Sequence, residues 1–378
     1  MGDWLPSRLL CILLMTPEPD GATKPRTPLW LTVQSLVGYY PLKTGDDTRM
    51  REGRRPPFYL LIVAGILASA FFSLTFIINQ SLSLADASWQ WTAALRYFFM
   101  VPLLGALLRI TGKGEPTRIT RVIGQNPTPW IIGGTIGFGF FYAPLTFAAA
   151  YGPAWLVAGT WQLTILIGGL LEPWLRKNTE HRTAIPWQTL LVSSVILLGI
   201  GLLQWSHVAQ TRNWARVLPL VIPLVFAATA YPVGNRWMLA HRASSLGTVA
   251  RTYGMTLGSL PFWIAIAVWG YLRSGWPTTN QLVQSMLVAL SSGVVATLLF
   301  YWATEKAYAK PDQLAAVEAT QSAEVVFAAI GAILILGQPW PSPIALTGMG
   351  CIVIGLIWHS LSSHTNPRAA SAQNEDSA

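Results

Sequence analysis

Charged residues are scarce in this chain of 378 residues. They make up 11% of the sequence, whereas hydrophobic residues make up 52%, and soluble domains usually carry about 25% charged residues. The deficit excludes an ordinary soluble domain and predicts an integral membrane protein. The formal net charge of +9 does not indicate nucleic-acid binding, because the basic residues lie in short segments between apolar runs, which is how membrane topology is specified.

Cysteine and histidine are also scarce. The two cysteines, Cys11 and Cys351, provide neither a disulfide framework nor a metal-ligand spacing. The five histidines lie in predicted loops or near the ends of predicted spans, which argues against an intramembrane enzyme with a His-rich site. A phosphate-binding motif of the Gly-x-x-x-x-Gly-Lys type is missing too, so an ATP-driven pump working alone is not indicated. The sequence therefore predicts no metal and no cofactor.

Long apolar segments are abundant instead. A transmembrane helix needs about 20 mostly apolar residues. Ten segments meet this requirement: 58–82, 89–110, 129–150, 154–175, 187–206, 217–239, 247–272, 282–306, 313–337 and 343–363. The lipid bilayer is therefore the first predicted partner of the chain.

Lysine and arginine are unevenly divided between the loops on the two sides of these spans. One set of loops contains the basic clusters at 49–55, 109–121 and 176–182, and the opposite set contains only Arg212, Arg216 and Arg273. Basic loops stay on the cytoplasmic side. The bias predicts a multi-pass protein of the plasma (inner) membrane with both termini in the cytoplasm, as an even number of spans requires.

Short patterns of the first half recur about 155 residues later. Asn79 recurs as Asn235, Arg96 as Arg251, and Phe141-Tyr142 as Phe300-Tyr301. Each half contains five predicted spans, and an odd number of spans places the second copy upside down. We therefore predict an all-α integral membrane protein whose ten transmembrane helices form two inverted five-helix repeats, 58–206 and 217–363. This architecture is typical of secondary transporters.

The two ends of the chain do not fit the repeat. Residues 1–56 are rich in Pro, Thr and Gly and are predicted to form a poorly ordered cytoplasmic extension. A simpler hypothesis is that translation begins at Met50, directly before the basic flank of the first span. Residues 364–378 are polar and are predicted to be a disordered tail.

The most informative polar residue inside a span is Glu324. It lies about 17 Å into the ninth span at ~1.5 Å per residue, close to the midplane. Gln321 and Glu318 precede it at three-residue steps, so the three side chains form one polar ridge. The ridge is either a hydrogen-bonded contact between helices or the lining of a substrate cavity. A buried carboxylate can exchange a proton, which would suit proton-coupled transport.

The fourth span is the repeat counterpart of the ninth. It offers Thr160, Gln162 and Thr164 at a comparable depth, all of them neutral. Inverted repeats place matching segments around one central site. One half is thus predicted to supply a carboxylate to that site, and the other half amides and hydroxyls.

Two arginines and two asparagines occupy repeat-related positions on opposite sides of the membrane. Arg96 and Arg251 either extend to the interface or cap a carbonyl, or they form a pair of gate or anion-binding positions. Asn79 and Asn235 end the first and sixth spans, where helix-end hydrogen bonding is a sufficient explanation.

Several of these features together resemble a known group. The ten-span plan, the Ala-Leu-Arg-Tyr sequence that ends at Tyr97, the stretch Ala323–Ala329 and the glycine-rich tenth span resemble the drug/metabolite transporter superfamily. The stretch from Phe71 to Arg96 is most similar to its multidrug resistance efflux transporter (EamA/EmrE-like) family. The resemblance covers residues 58–362 and implies export of small molecules by alternating access.

The chain departs from this resemblance at one position. The related small four-span antiporters carry a glutamate in their first span, whereas 58–82 and 217–239 contain no acidic residue. If protons are coupled to transport, Glu324 or Glu318 must bind them.

Two kinds of alternative stay open at this point. The chain could be a uniporter or exchanger of a sugar, amino acid or nucleotide-type metabolite. A channel is less well supported, because filter loops or subunit rings that would form a pore are not indicated. The predicted partners are lipid, a small-molecule substrate and, for coupled transport, protons, with the chain as a monomer or a homodimer.

Overall fold

The computed structural model describes residues 56–111, 116–175, 187–212, 215, 217–240, 246–307 and 310–363. Nearly all of the predicted extension 1–56, including Met50, and the whole predicted tail 364–378 lie outside the described residues. Every regular element within the described part is a helix. Helices are expected here because a lipid-embedded backbone must satisfy its hydrogen bonds within the spanning segment.

The first half contains eight α-helices: α1 (Phe58–Leu84), α2 (Trp89–Thr111), α3 (Pro116–Gln125), α4 (Pro127–Gly134), α5 (Phe140–Ala148), α6 (Ala154–Trp161), α7 (Leu163–Leu175) and α8 (Trp187–Thr211). A π-helical segment, π1 (Thr135–Gly139), joins α4 to α5 in one continuous helix. The predicted apolar segments therefore correspond to observed helices within a few residues.

The second half contains seven α-helices: α9 (Val217–Ala240), α10 (Thr248–Ser274), α11 (Thr279–Val288), α12 (Thr297–Ala307), α13 (Pro311–Ala319), α14 (Ala323–Leu336) and α15 (Pro343–Ser363). A second π-helical segment, π2 (Ala289–Ala296), joins α11 to α12. A 3₁₀ turn, Thr320–Ser322, joins α13 to α14.

Nine helical segments of the described chain are long and apolar enough to cross a membrane. The predicted fourth span differs from the expectation of one uninterrupted helix. It consists of α6 and α7, which meet at Gln162, and its apolar part, Ala154–Gly168, is shorter than the nine others. At the interruption the Gln162 N–H bonds the carbonyl of Gly159, three residues back instead of four.

One helix was not predicted from the sequence. Helix α3 spans ten residues, which is too short to cross a bilayer. Its Pro116 and Ile119 are buried against the protein, whereas Arg118 and Arg121 are exposed. The basic cluster between the second and third spans therefore includes an amphipathic helix instead of only a loop.

Helices of the two halves pack against each other in matched pairs. Helix α8 packs on α15, α2 on α10, and α6 on α14. The contact of α5 with α9 has a counterpart in the contact of α12 with α1, and the contact of α7 with α9 has one in the contact of α14 with α1. For these pairs, exchanging each helix for its counterpart in the other half returns a contact of the same set.

One close approach between backbones is at Gly234 of α9, which lies against Gly137 of π1. A β-carbon on Gly234 would overlap the backbone nitrogen and Cα of Gly137. Small residues at such crossings allow helices in membranes to pack closely.

Gly234→Ala should therefore destabilise the protein, because the overlapping atoms belong to the backbone and cannot rotate away. We expect a loss of about 1–3 kcal/mol, the usual cost of overpacking, seen as a lower thermal midpoint of the purified protein. Gly201→Ala in α8 is the matched control, since a β-carbon there meets nothing within 4 Å. An unchanged midpoint for Gly234→Ala would show that this contact is not tight.

Candidate functional site

Two helix interruptions meet at the centre of the protein. Glu324 lies in the first turn of α14, just after the 3₁₀ turn, and its side chain is 5% exposed. Gln162 lies at the junction of α6 and α7 and is 1% exposed. The Gln162 Nε2 atom donates a hydrogen bond of 3.2 Å to Glu324 Oε2. The structure thus brings together two predicted site residues that lie 162 positions apart in the chain.

The Glu324 carboxylate has no positive partner among the residues that the structure describes. Its recorded hydrogen bond comes from a neutral amide. Charges inside a membrane protein are costly and mark ion or substrate pathways. A carboxylate in this position can bind a proton or a cationic group. The described His, Cys, Asp and Glu side chains form no cluster of three or more that could hold a metal ion.

The two predicted threonines flank Gln162 without bonding to Glu324. Thr160 is fully buried; its hydroxyl accepts a 2.9 Å hydrogen bond from Gln204 Nε2 and donates to the Leu156 carbonyl. The Thr164 hydroxyl donates to the Ala228 carbonyl of α9 at 3.2 Å. These hydroxyls therefore tie α6 and α7 to α8 and α9.

The predicted ridge of Glu318, Gln321 and Glu324 faces three different surroundings. Gln321 Nε2 donates to Ser69 Oγ of α1 at 3.3 Å, whereas the Glu318 side chain is exposed. The 3₁₀ turn between Glu318 and Glu324 changes the direction in which successive side chains point. A role of Glu318 or Gln321 in a cavity stays a prediction.

Trp161, which precedes Gln162 in the chain, packs in an aromatic cluster with Phe141 and Tyr231, and sequence reasoning did not assign Phe141 or Tyr231 to the site. The ring centroids of Phe141 and Trp161 lie 4.9 Å apart, and those of Phe141 and Tyr231 lie 5.0 Å apart. The side chains of Tyr231 and Tyr301 are hydrogen-bonded to each other. The sequence signal for these residues is the recurrence of Phe-Tyr in both halves, which by itself indicates a repeat and not a site.

Arg96, the first of the predicted gate or anion-binding positions, is 6% exposed. Its Cζ atom lies 4.1 Å from the centroid of the Tyr142 ring. The Tyr142 hydroxyl donates a 3.2 Å hydrogen bond to Asn79 Oδ1. Arg96, Asn79 and Tyr142 therefore form one cluster of α1, α2 and α5.

The counterpart positions of the second half form a looser arrangement. The Arg251 Cζ atom lies 5.8 Å from the centroid of the Tyr301 ring, and Arg251 is partly exposed. The Asn235 amide donates to the Tyr231 carbonyl at 2.9 Å, within its own helix. The arginine–tyrosine contact is thus present in both halves, but the bond from tyrosine to asparagine is recorded only in the first half.

Comparison with known proteins gives one family over most of the chain. Residues 59–365 match EmrE, described as "Putative multidrug resistance efflux transporter". The chain is 44% identical over 320 residues to the uncharacterized protein YjlA of Bacillus subtilis (strain 168), covering 83% of this chain and 98% of that protein. It is 39% identical over 267 residues to the "Uncharacterized 42.1 kDa protein in intracellular alkaline protease 3'region" of Shouchella clausii, covering 70% and 69%.

A solved crystal structure has the same fold. It superposes with a TM-score of 0.54 at 16% sequence identity and covers 82% of this chain and 99% of its own. At that identity the likeness supports the helical arrangement alone.

Proposed function

The chain belongs to the EmrE family of multidrug resistance efflux transporters, and we propose that it exports small molecules across the plasma membrane by alternating access. The observation that carries this proposal is the buried hydrogen bond between Gln162 and Glu324. It joins the interrupted fourth span of one half to the interrupted ninth span of the other. Interrupted helices at the interface of two repeats are where transporters bind substrate and coupling ions.

Ten spans in two inverted five-helix repeats are part of this proposal. Three features in addition to the matched helix packing support it. The π-helical segments π1 and π2 begin 154 residues apart, and such segments are rare and frequently lie at functional sites. The interruptions at Gln162 and at Thr320–Ser322 fall at corresponding places. The contact of an arginine with a tyrosine ring occurs in both halves.

In this mechanism the two halves rock about the central pair, so that Glu324 is reached first from one side of the membrane and then from the other. A proton that binds the carboxylate removes a charge that has no positive partner among the described residues. Release of that proton to the other side returns the charge and favours the opposite conformation. Protonation and deprotonation of Glu324 would thereby couple solute export to proton entry, without any covalent chemistry.

Uncoupled or exchange transport of a metabolite is the second candidate. It is favoured by the lack of an acidic side chain in the sequences of α1 and α9. The small antiporters that the chain resembles have a glutamate in the corresponding first span. The two candidates differ in whether a pH gradient alone drives the solute.

The proposed topology predicts which loops face which side. In a background without native cysteines, Ala85→Cys, in the exposed turn after α1, should react with an impermeant maleimide added to intact cells. Lys310 is exposed and directly precedes α13. Lys310→Cys should react with the maleimide only after the cells are permeabilised. Labelling of both positions from the same side would contradict the inverted arrangement.

A further inference from the structure

A second buried charge lies apart from the Gln162–Glu324 pair. Arg96 is 6% exposed, and its Cζ atom lies over the Tyr142 ring at 4.1 Å and near the Tyr97 ring at 5.8 Å. Attraction to ring faces offsets only part of the free-energy cost of burying an ion. The rings alone therefore do not balance the guanidinium charge.

The described part of the chain does not supply the missing negative charge. Arg96 forms no ion pair with a described residue, and its Nε atom is buried without a hydrogen-bond partner. Glu324, the buried acid among the described side chains, accepts its hydrogen bond from Gln162 instead.

Two more buried donors near Arg96 lack partners. They are Asn79 Nδ2 and Trp263 Nε1. The Asn79 amide is oriented by its other end, because Oδ1 accepts from the Tyr142 hydroxyl. Trp263 is stacked on Tyr97 at 4.5 Å and lies edge-on to Tyr142 at 6.5 Å. All three unpaired donors thus belong to side chains next to the Tyr142 ring.

A set of donors without an acceptor, one of them cationic, is complementary to an oxyanion. Carboxylates and phosphates accept several hydrogen bonds, and guanidinium groups bind both. We propose that Arg96 binds the anionic group of the transported solute, with Asn79 and Trp263 as further donors. This site presupposes the proposed transport function and narrows its substrates to small organic anions.

The test uses the purified full-length protein and matched probes. One series is phenylacetate, phenyl phosphate, phenylacetamide and phenethylamine; a second series carries the same four groups on a butyl chain. We expect the carboxylate or the phosphate of each series to raise the thermal midpoint of the wild type more than the amide and the amine of the same series do. Which of the two does so identifies the type of oxyanion.

Arg96→Gln should weaken that binding at least tenfold. Arg273→Gln is the control, since Arg273 is an exposed arginine near the end of α10, and it should leave binding unchanged. Without probe, Arg96→Gln should melt at the wild-type temperature or above it, because an unbalanced buried charge has been removed. A purely structural arginine would instead give a lower midpoint and unchanged probe binding.

Three results would overturn the anion site: equal shifts with anions and their amides, anion binding that survives Arg96→Gln, or no shift with any probe. If amides or amines shift the midpoint and are transported, the proposed transport function stands while the anion site falls. If no probe binds and no solute moves in proteoliposomes, both fall.

Discussion

Glu324→Gln should abolish solute flux driven by a pH gradient while the protein stays folded. Glutamine has nearly the same shape as glutamate and can still accept a hydrogen bond from Gln162, so the contact between α6 and α14 persists. It cannot bind and release a proton. Removing a buried charge that has no positive partner is neutral or stabilising, so the thermal midpoint should not fall.

The measurement is flux into proteoliposomes with and without an imposed pH gradient. Glu318→Gln is the control, because Glu318 lies on the same helical rod but is exposed, and we expect near wild-type flux. Equal pH-driven flux in Glu324→Gln and the wild type would remove Glu324 from the coupling mechanism. If the wild type and Glu324→Gln both show the same flux without a pH gradient, that result would favour the metabolite uniporter or exchanger.

Gln162→Leu should have the second largest effect on flux. It removes the amide that donates to Glu324 Oε2 and leaves the carboxylate without that donor in an apolar surrounding. Hydrogen bonds to charged groups contribute about 1.5–3 kcal/mol, and ~1.4 kcal/mol corresponds to a factor of ten in binding. We expect the flux at low solute concentration to fall by roughly tenfold to a hundredfold.

Thr164→Val is the control for this substitution. The Thr164 hydroxyl donates to a helix carbonyl of Ala228 and does not contact Glu324, so we expect less than about a threefold change. The double variant Gln162→Glu with Glu324→Gln moves the carboxylate to the other half and keeps the pair. Partial recovery of flux in the double variant would support a site shared by both halves, and wild-type flux in Gln162→Leu would argue against any role of the pair.

The ends of the helices could be predicted from the sequence because they depend on local properties. Runs of about 20 apolar residues, with polar or proline-containing turns between them, define each membrane span. Pro343 and Ser363, for example, bound α15 at the predicted positions. Residue composition suffices for such boundaries, since a span must be apolar along its length and its ends meet the polar interface.

The interruptions within the helices could not be predicted in this way. Gln162 stands among apolar residues, and π1 contains nothing that separates it from an ordinary glycine-rich helix. Both irregularities occur where helices of different halves meet, as at the close approach of Gly137 and Gly234. Tertiary contacts decide them, and a local pattern carries no information on such contacts.

The candidate site was predictable in part. Glu324 and Gln162 were named from their depth, because polar residues are costly inside a span. Tyr142, Tyr231 and Trp263 were not named, because aromatic side chains in a span are expected to pack against lipid or helices. Only their placement around buried polar atoms in the structure makes them part of a candidate site.

The most direct test of the account is solute accumulation in proteoliposomes with an acidic lumen. The solute is one that stabilises the purified protein, and the proton gradient is the only energy source. Wild-type protein should concentrate the solute inside above the outside level as protons leave, and Glu324→Gln should not. Equal accumulation with the variant, or no accumulation by the wild type of a solute that it binds, would contradict proton-coupled transport at the Gln162–Glu324 pair.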